Sequence, residues 1–416
     1  MNRTARFIVI IAVLILGPVI ATTPAMAVDP HDQALGDLPA STASEKGRLQ
    51  PALPVEGATQ APAIEEVRGV YSLLRGNKPV EPGDFDSPHI AGIVVRSQWK
   101  AIEPKEDDYR WDYFDHAIEE AKKAGKTVML SVMPGAMTPE WVYEKGAKRF
   151  HFKSPGPRGE GGEHSMPIPW DEVFLKEWTD FIRAFGRRYA HEPSVVFVAM
   201  AGGASTSVEM HLPKSPDGIK KLEEAGYTKE HLVASWKKAI DAWAAAFPNQ
   251  GLGLPAAVPL RRDGALEAIM DYAVAKLGRR VYLATGSLSE KTNLSDPMIQ
   301  KIREYADRAG IGFQMLSSAT RGGGEGGQRD YSMRSGSGGG MGSKSGTKKG
   351  GMGGGGKGRE GRPGGGGFSQ HIEDLRAAFE IGIKAGASWI QVYQEDIKNP
   401  SHEDDIRYLS ERLKKG

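Results

Sequence analysis

Residues Trp111–Met133, WDYFDHAIEEAKKAGKTVMLSVM, decide the fold. Tyr113, Phe114, Ala117, Ile118 and Ala121 fall on one stripe at helical spacing, and Gly125 stands where a helix should stop. Directly afterwards Thr127–Met133 is β-branched and apolar without alternation, the pattern of a parallel strand buried on both faces. A helix feeding such a strand is half of a βαβ unit.

Working outward, the same unit repeats. Apolar runs predict strands at Gly69–Leu74, Ile90–Val95, Thr127–Met133, Val195–Ala201, Gly251–Ala256, Val281–Thr285, Ile311–Leu316 and Ser388–Tyr393. Helical periodicity predicts further helices at Asp171–Arg188, Lys229–Ala246, Gly264–Lys276, Asp296–Arg308, Gln370–Lys384 and Glu403–Lys414. The first crossover, GNKPVEPGDFDSPH, carries no helix pattern. Eight strands alternating with seven helices give an α/β chain, a (β/α)8 TIM barrel. An open doubly wound sheet is the competitor, disfavoured because no glycine-rich fingerprint follows the first strand.

The chain has 416 residues, 54 basic and 52 acidic side chains, a formal net charge of +2 and no cysteine. Disulfides, thiolate metal sites and a cysteine nucleophile are excluded. Near-neutral charge gives no reason to expect nucleic acid as a partner. Arg3 and Arg6 precede the apolar run FIVIIAVLILGPVIA, and Ala25-Met26-Ala27 is a small-x-small site. This predicts a signal peptide over residues 1–27, cleaved after Ala27, and a secreted or periplasmic protein; a retained anchor is the rival, opposed by Pro18. After cleavage no membrane partner is expected. Residues 28–66 read as a flexible linker ahead of a barrel over 67–416. Residues 322–367, almost all Gly, Ser, Lys and Arg, predict a disordered insertion in the loop after the seventh strand. Oligomeric state has no signature in the sequence.

Barrel enzymes carry their chemistry at the C-terminal ends of strands. There the chain offers Arg96 and Trp99 after the second strand, Trp141 after the third, and Glu209 and His211 after the fourth. It offers Gln314 on the seventh strand, and Tyr393, Glu395 and Asp396 at the eighth. Aromatic rings at a mouth suit the C–H faces of sugars. No HxxxH, HExxH or GxSxG motif occurs, so neither a metal nor a serine triad is expected, and no cofactor is implied.

The run RSQWKAIEPKEDDYRWDYFDHAIEEAKKAGKTVMLSVMPGAMTPEW resembles the second and third βα units of the retaining glycoside-hydrolase superfamily of barrels, which includes β-galactosidases and cellulases. PIPWDEVFLKEWTDFIRAFGRRYAHEPSVVFVAMAG is similar to the third helix and fourth strand of that group. The resemblance implies an oligo- or polysaccharide substrate and two glutamates: an acid/base after the fourth strand, usually in an Asn-Glu pair, and a nucleophile ending the seventh. Retaining chemistry holds such groups about 5–5.5 Å apart. This chain departs twice. It has no Asn-Glu dipeptide, and Glu209 comes only after GGASTS; the seventh strand, GFQMLSSATRG, ends without a carboxylate. Glu395 on the neighbouring strand is the substitute. The expectation is therefore a glycosidase using Glu209 and Glu395 as catalytic residues, with Arg96, Trp99, Trp141, His211, Gln314 and Tyr393 binding substrate. The rival is a barrel that binds glycans without turning them over. A third reading makes the Gly/Lys/Arg tract a tether to an acidic polymer.

Overall fold

The computed structural model describes residues 66–74, 76, 78–81, 83–153, 162–203, 210–320 and 372–415. The expectations for the signal peptide, for nearly all of the 28–66 linker, for the 322–367 insertion and for Glu209 lie outside the described residues.

Among the described residues the strands are β1 (Gly69–Leu73), β2 (Gly92–Gln98), β3 (Thr127–Met133), β4 (Arg149–Lys153), β5 (Glu163–Pro167), β6 (Val195–Ala199), β7 (Gly251–Pro255), β8 (Val281–Leu288), β9 (Gly310–Met315) and β10 (Trp389–Tyr393). The helices are α1 (Trp99–Ile102), α2 (Asp112–Lys123), α3 (Glu140–Glu144), α4 (Glu172–Tyr189), α5 (Pro216–Glu224), α6 (Lys229–Ala246), α7 (Ala265–Leu277), α8 (Pro297–Arg303), α9 (Leu375–Lys384), α10 (Gln394–Ile397) and α11 (Glu403–Lys415). All these strands but β4 and β5 form a closed parallel ring in the order β1-β2-β3-β6-β7-β8-β9-β10 and back to β1. The (β/α)8 barrel is therefore as read. β4 and β5 form an antiparallel hairpin between β3 and α4 that the periodicity does not reveal.

Local chemistry explains the helix ends. Asp171 accepts from Phe174 N at 3.0 Å to start α4, and Arg187 and Arg188 sit at its C-terminal end, favourable to the helix dipole. Thr228 and Asp374 cap α6 and α9 in the same way. Gly125 has φ 63, the left-handed stop that ends α2.

The lower barrel is plugged by three rings. Phe197 on β6 lies 5.2 Å from Trp389 and 5.8 Å from Tyr282, centroid to centroid. Glycines make their sockets: a Cβ on Gly312 would stand 2.0 Å from the Trp389 ring, and one on Gly310 2.2 Å from Tyr282. Val67 N donates to Tyr282 Oη at 2.7 Å and ties the entering chain to the plug. Outside the wall, Trp99, Trp178, Phe181, Phe185 and Trp243 fill the space toward α4 and α6 with almost no exposure. Each such ring contributes about 2–3 kcal/mol by leaving water.

Candidate active site at the barrel mouth

Which side chains face the interior follows from one contact. Gln391 on β10 and Met129 on β3 meet at 3.6 Å, although their strands are three apart in the ring, so the contact crosses the barrel. Alternation then turns Ser131 inward with Met129, and Tyr393 inward with Gln391. Register extends the set: Arg96 pairs with Ser131, Ala199 with Ser131, and Gln314 with Gln391. Ala284 and Pro255 pair with each other across β7 and β8.

These positions line a cup above the aromatic plug. Arg96, Ala199, Ala284 and Gln314 are all half-buried, whereas their outward neighbours Val95, Val198, Leu283 and Phe313 are covered. The cup is two-sided. The run β9-β10-β1-β2-β3 supplies Gln314, Gln391, Arg96 and Ser131; the run β6-β7-β8 supplies Ala199, Pro255 and Ala284. Polar groups thus occupy one half-ring and small apolar ones the other. Arg96 donates to Leu74 O at the end of β1, at 3.5 Å. Ser131 is 2% exposed, and its Oγ makes no hydrogen bond.

The rim is fixed by backbone contacts. Trp178 and Trp243 both donate to Ala201 O, at 2.9 and 3.1 Å, where the chain leaves β6. Gly203 then passes so close to Pro169 that a Cβ would stand 2.8 Å from it, an approach that only glycine permits. Glu209 comes six residues later, outside the described segment; the chain is described again at Met210, and Leu212 N donates to Pro259 O at 2.9 Å. His211 sits at this rim, its Nδ1 3.2 Å from Val258 O and 3.0 Å from Lys214 Nζ.

At the eighth barrel strand, Tyr393 Oη reaches Leu316 O at 3.5 Å. Glu395 is half-buried in α10, at the mouth end of β10, and its carbonyl accepts from Thr320 Oγ1 at 3.4 Å. Asp396 has a different task. Fully buried, it accepts from Ser318 Oγ at 2.8 Å, Ala319 N at 3.1 Å, Thr320 N at 2.8 Å and Thr320 Oγ1 at 2.8 Å. His402 Nδ1 is its basic neighbour at 3.6 Å. Asp396 therefore pins the loop that follows β9 onto α10. Asp84, also buried, ties α10 from another direction, taking Gln394, Lys398 and Glu81 N.

Two expected sugar platforms are corrected. Trp99 is 0% exposed; α1 begins at this residue and turns its ring outside the barrel wall among Trp141, Phe174, Trp178 and Phe181. Trp141 stands edge-on to it at 5.9 Å and donates to Glu103 O at 3.1 Å, away from the cup. Both indoles serve instead to hold Glu103. Trp99 Nε1 donates to its carboxylate at 2.7 Å and Asp107 N at 3.0 Å. Burial, opposed by these hydrogen bonds, pushes the Glu103 carboxyl up to about 7. This group borders a cleft of ≈ 310 Å³ between the 103–109 loop, α3 and α4, with Tyr109, Lys176 and Glu177 on its walls. Ser131, Gln391 and Asp84 escape the sequence reading. A lone polar residue within an apolar barrel strand, as in TVMLSVM and WIQVY, is the signal that finds the first two.

Residues 90–247 match the profile of the β-galactosidase family of glycoside hydrolases. That segment of the barrel is similar to this family. The matched segment runs from just before β2 to the end of α6 and stops short of β7–β10, where the chain departs from the expected pattern. A curated relative, β-galactosidase BglY from Alicyclobacillus acidocaldarius, is 26% identical over 98 residues, covering 24% of this chain and 14% of that protein. The match thus spans about a seventh of the relative's length. Among solved structures, the β-galactosidase from the psychrophilic Marinomonas ef1 superposes with a TM-score of 0.46 at 10% identity, covering 83% of this chain and 59% of that one. Xylanase B from Clostridium stercorarium F9 gives 0.38 at 13% identity, covering 61% and 71%. The barrel assignment rests on the strand pairing and not on these superpositions.

Proposed function

We propose that this is an exported enzyme that cleaves a glycosidic bond at the barrel mouth with two carboxylates. Glu209 is the general acid that protonates the leaving oxygen, and Glu395 is the nucleophile or the base that activates water. Arg96, His211, Gln314 and Tyr393 contact the sugar, and Arg96 favours the ionised form of a neighbouring acid. The observation that carries the reading is the half-buried Glu395 at the mouth end of a barrel strand, above a cup lined with amides, a guanidinium and a hydroxyl. The family match over residues 90–247 supports it.

The test is a panel of aryl glycosides assayed with wild type, Glu209→Gln and Glu395→Gln. Turnover by wild type and a loss of at least about 100-fold in each folded variant is expected. Wild-type turnover that survives both changes refutes the assignment. Export is tested by the N-terminus of the mature protein, expected at Val28.

A second reading, a barrel that holds glycans without hydrolysing them, is favoured by one observation. β9 ends in Gln314 and Met315, followed by Leu316, Ser317 and Ser318, with no acid, and the buried acid nearby, Asp396, is fully engaged by residues 318–320. Glycan affinity without turnover on the same panel would establish it.

A further inference from the structure

Among the described residues, Arg96 is the one charged side chain in the eight barrel strands. It faces inward beside Ser131, its register partner, whose hydroxyl is buried and without a hydrogen bond. An unsatisfied polar group in a tightly packed strand is uncommon and calls for an explanation. Gln314, half-buried, continues this wall on β9, and Gln391 stands beside it on β10. Across the cup, Ala199, Pro255 and Ala284 present only small apolar surfaces. The two acids that follow β10 are not part of the wall: Glu395 stands beyond the strand in α10, and Asp396 is turned onto residues 318–320. Within the strands the wall is therefore cationic and rich in donors, with Glu395 at its upper edge.

We infer that the cup selects a sugar acid, a uronic acid residue whose carboxylate seats on Arg96 with Ser131 and Gln314 as accessory donors. A guanidinium meets a carboxylate through paired, charge-assisted hydrogen bonds that a neutral hydroxymethyl group cannot match. The small apolar half-ring accepts the C–H face of the same ring without demanding further polar partners. This inference rests on the reading of the mouth as a glycan site and names its ligand class.

The experiment is calorimetric titration of the mature protein with glucuronide- and galacturonide-terminated disaccharides and with their neutral counterparts of the same linkage. Affinity for the acidic members at least about tenfold above the neutral ones is expected, falling steeply with added salt. Arg96→Gln, checked for an unchanged melting profile, brings the two sets to within about threefold, and Ser131→Ala lowers acidic affinity several-fold. Equal or better binding of the neutral sugars overturns the acidic preference and leaves the glycan site standing. Binding of neither set overturns both. A preference that survives in folded Arg96→Gln refutes the role given to the guanidinium.

Discussion

Replacing Glu103 by glutamine tests how burial sets the pH response of this fold. The residue is 2% exposed, and its carboxyl is raised from 4.5 to about 7, with desolvation the largest cause. A rise of that size corresponds to about 3 kcal/mol of linkage between protonation and folding. Because the folded state holds this proton more tightly than the unfolded chain, the contribution is fully present below pH 4.5. It is lost as pH rises through the folded value near 7. The Glu103→Gln side chain cannot ionise, so the variant lacks this loss. An amide has a single acceptor oxygen, so either Trp99 Nε1 or Asp107 N goes without its partner, at about 1 kcal/mol. The variant should therefore be slightly weaker than wild type at about pH 4.5 and about 2 kcal/mol stronger at about pH 8. Urea titrations followed by tryptophan fluorescence across that range give the difference directly. The neighbouring titratable groups, Asp107, Tyr109, Glu106, Glu177 and Lys145, remain in both proteins and largely cancel. A wild-type-minus-variant difference that does not change with pH, or that grows as pH rises, refutes the reasoning.

Two further substitutions probe the scaffold. Gly312→Ala places a Cβ 2.0 Å from the Trp389 ring inside the aromatic plug, and a loss of about 3 kcal/mol is expected in equilibrium unfolding; near-neutral behaviour would mean that the plug can yield. Asp396→Ala strips the acceptor from Ser318 Oγ, Ala319 N, Thr320 N and Thr320 Oγ1, costing about 3 kcal/mol and raising hydrogen exchange at the Ala319 and Thr320 amides in particular. Unchanged exchange there would show that the loop does not depend on this carboxylate.

The barrel is legible in the sequence because a parallel strand buried on both faces must be apolar throughout. Thr127–Met133 and Lys229–Ala246 coincide with their predicted spans, and every other barrel strand agrees to within a few residues. The differences have physical causes. β2 runs on to Gln98, past the predicted end at Val95, because Arg96 and Gln98 face the cup and need not be apolar. β8 likewise continues through Gly286 and Ser287. The helix expected over Asp296–Arg308 ends at Arg303, although Tyr305 and Ala309 beyond it are buried. The hairpin of β4 and β5 is only five residues a side, with Phe150 and Phe152 as its buried face. Trp99 reads as a mouth residue because it follows a strand. Counting by twos from the inward Arg96 puts Gln98 in and Trp99 out, so one known inward residue is enough to correct it. Asp396 cannot be told from Glu395 by any pattern, since α10 starts between the strand and both acids.

The ring order also bears on stereochemistry. β6, which leads into Glu209, and β10, which leads into Glu395, are four strands apart in either direction around the eight-stranded ring. The usual seventh-strand position, β9, is three strands from β6. Across an eight-stranded ring a strand three places away and one four places away are nearly equally distant, so strand order alone does not fix the separation of the two carboxyl groups. Retention needs the two carboxyl groups about 5–5.5 Å apart, and inversion about 6.5–9.5 Å, the difference being room for a water. The longer separation makes Glu395 the base that activates that water, and the shorter one makes it the nucleophile. If the Glu209–Glu395 pair is the catalyst, the anomeric configuration of the first-formed sugar, read by proton NMR before mutarotation, assigns the role: inversion makes Glu395 the base, retention the nucleophile. Formation of both anomers from the outset would refute either role for Glu395.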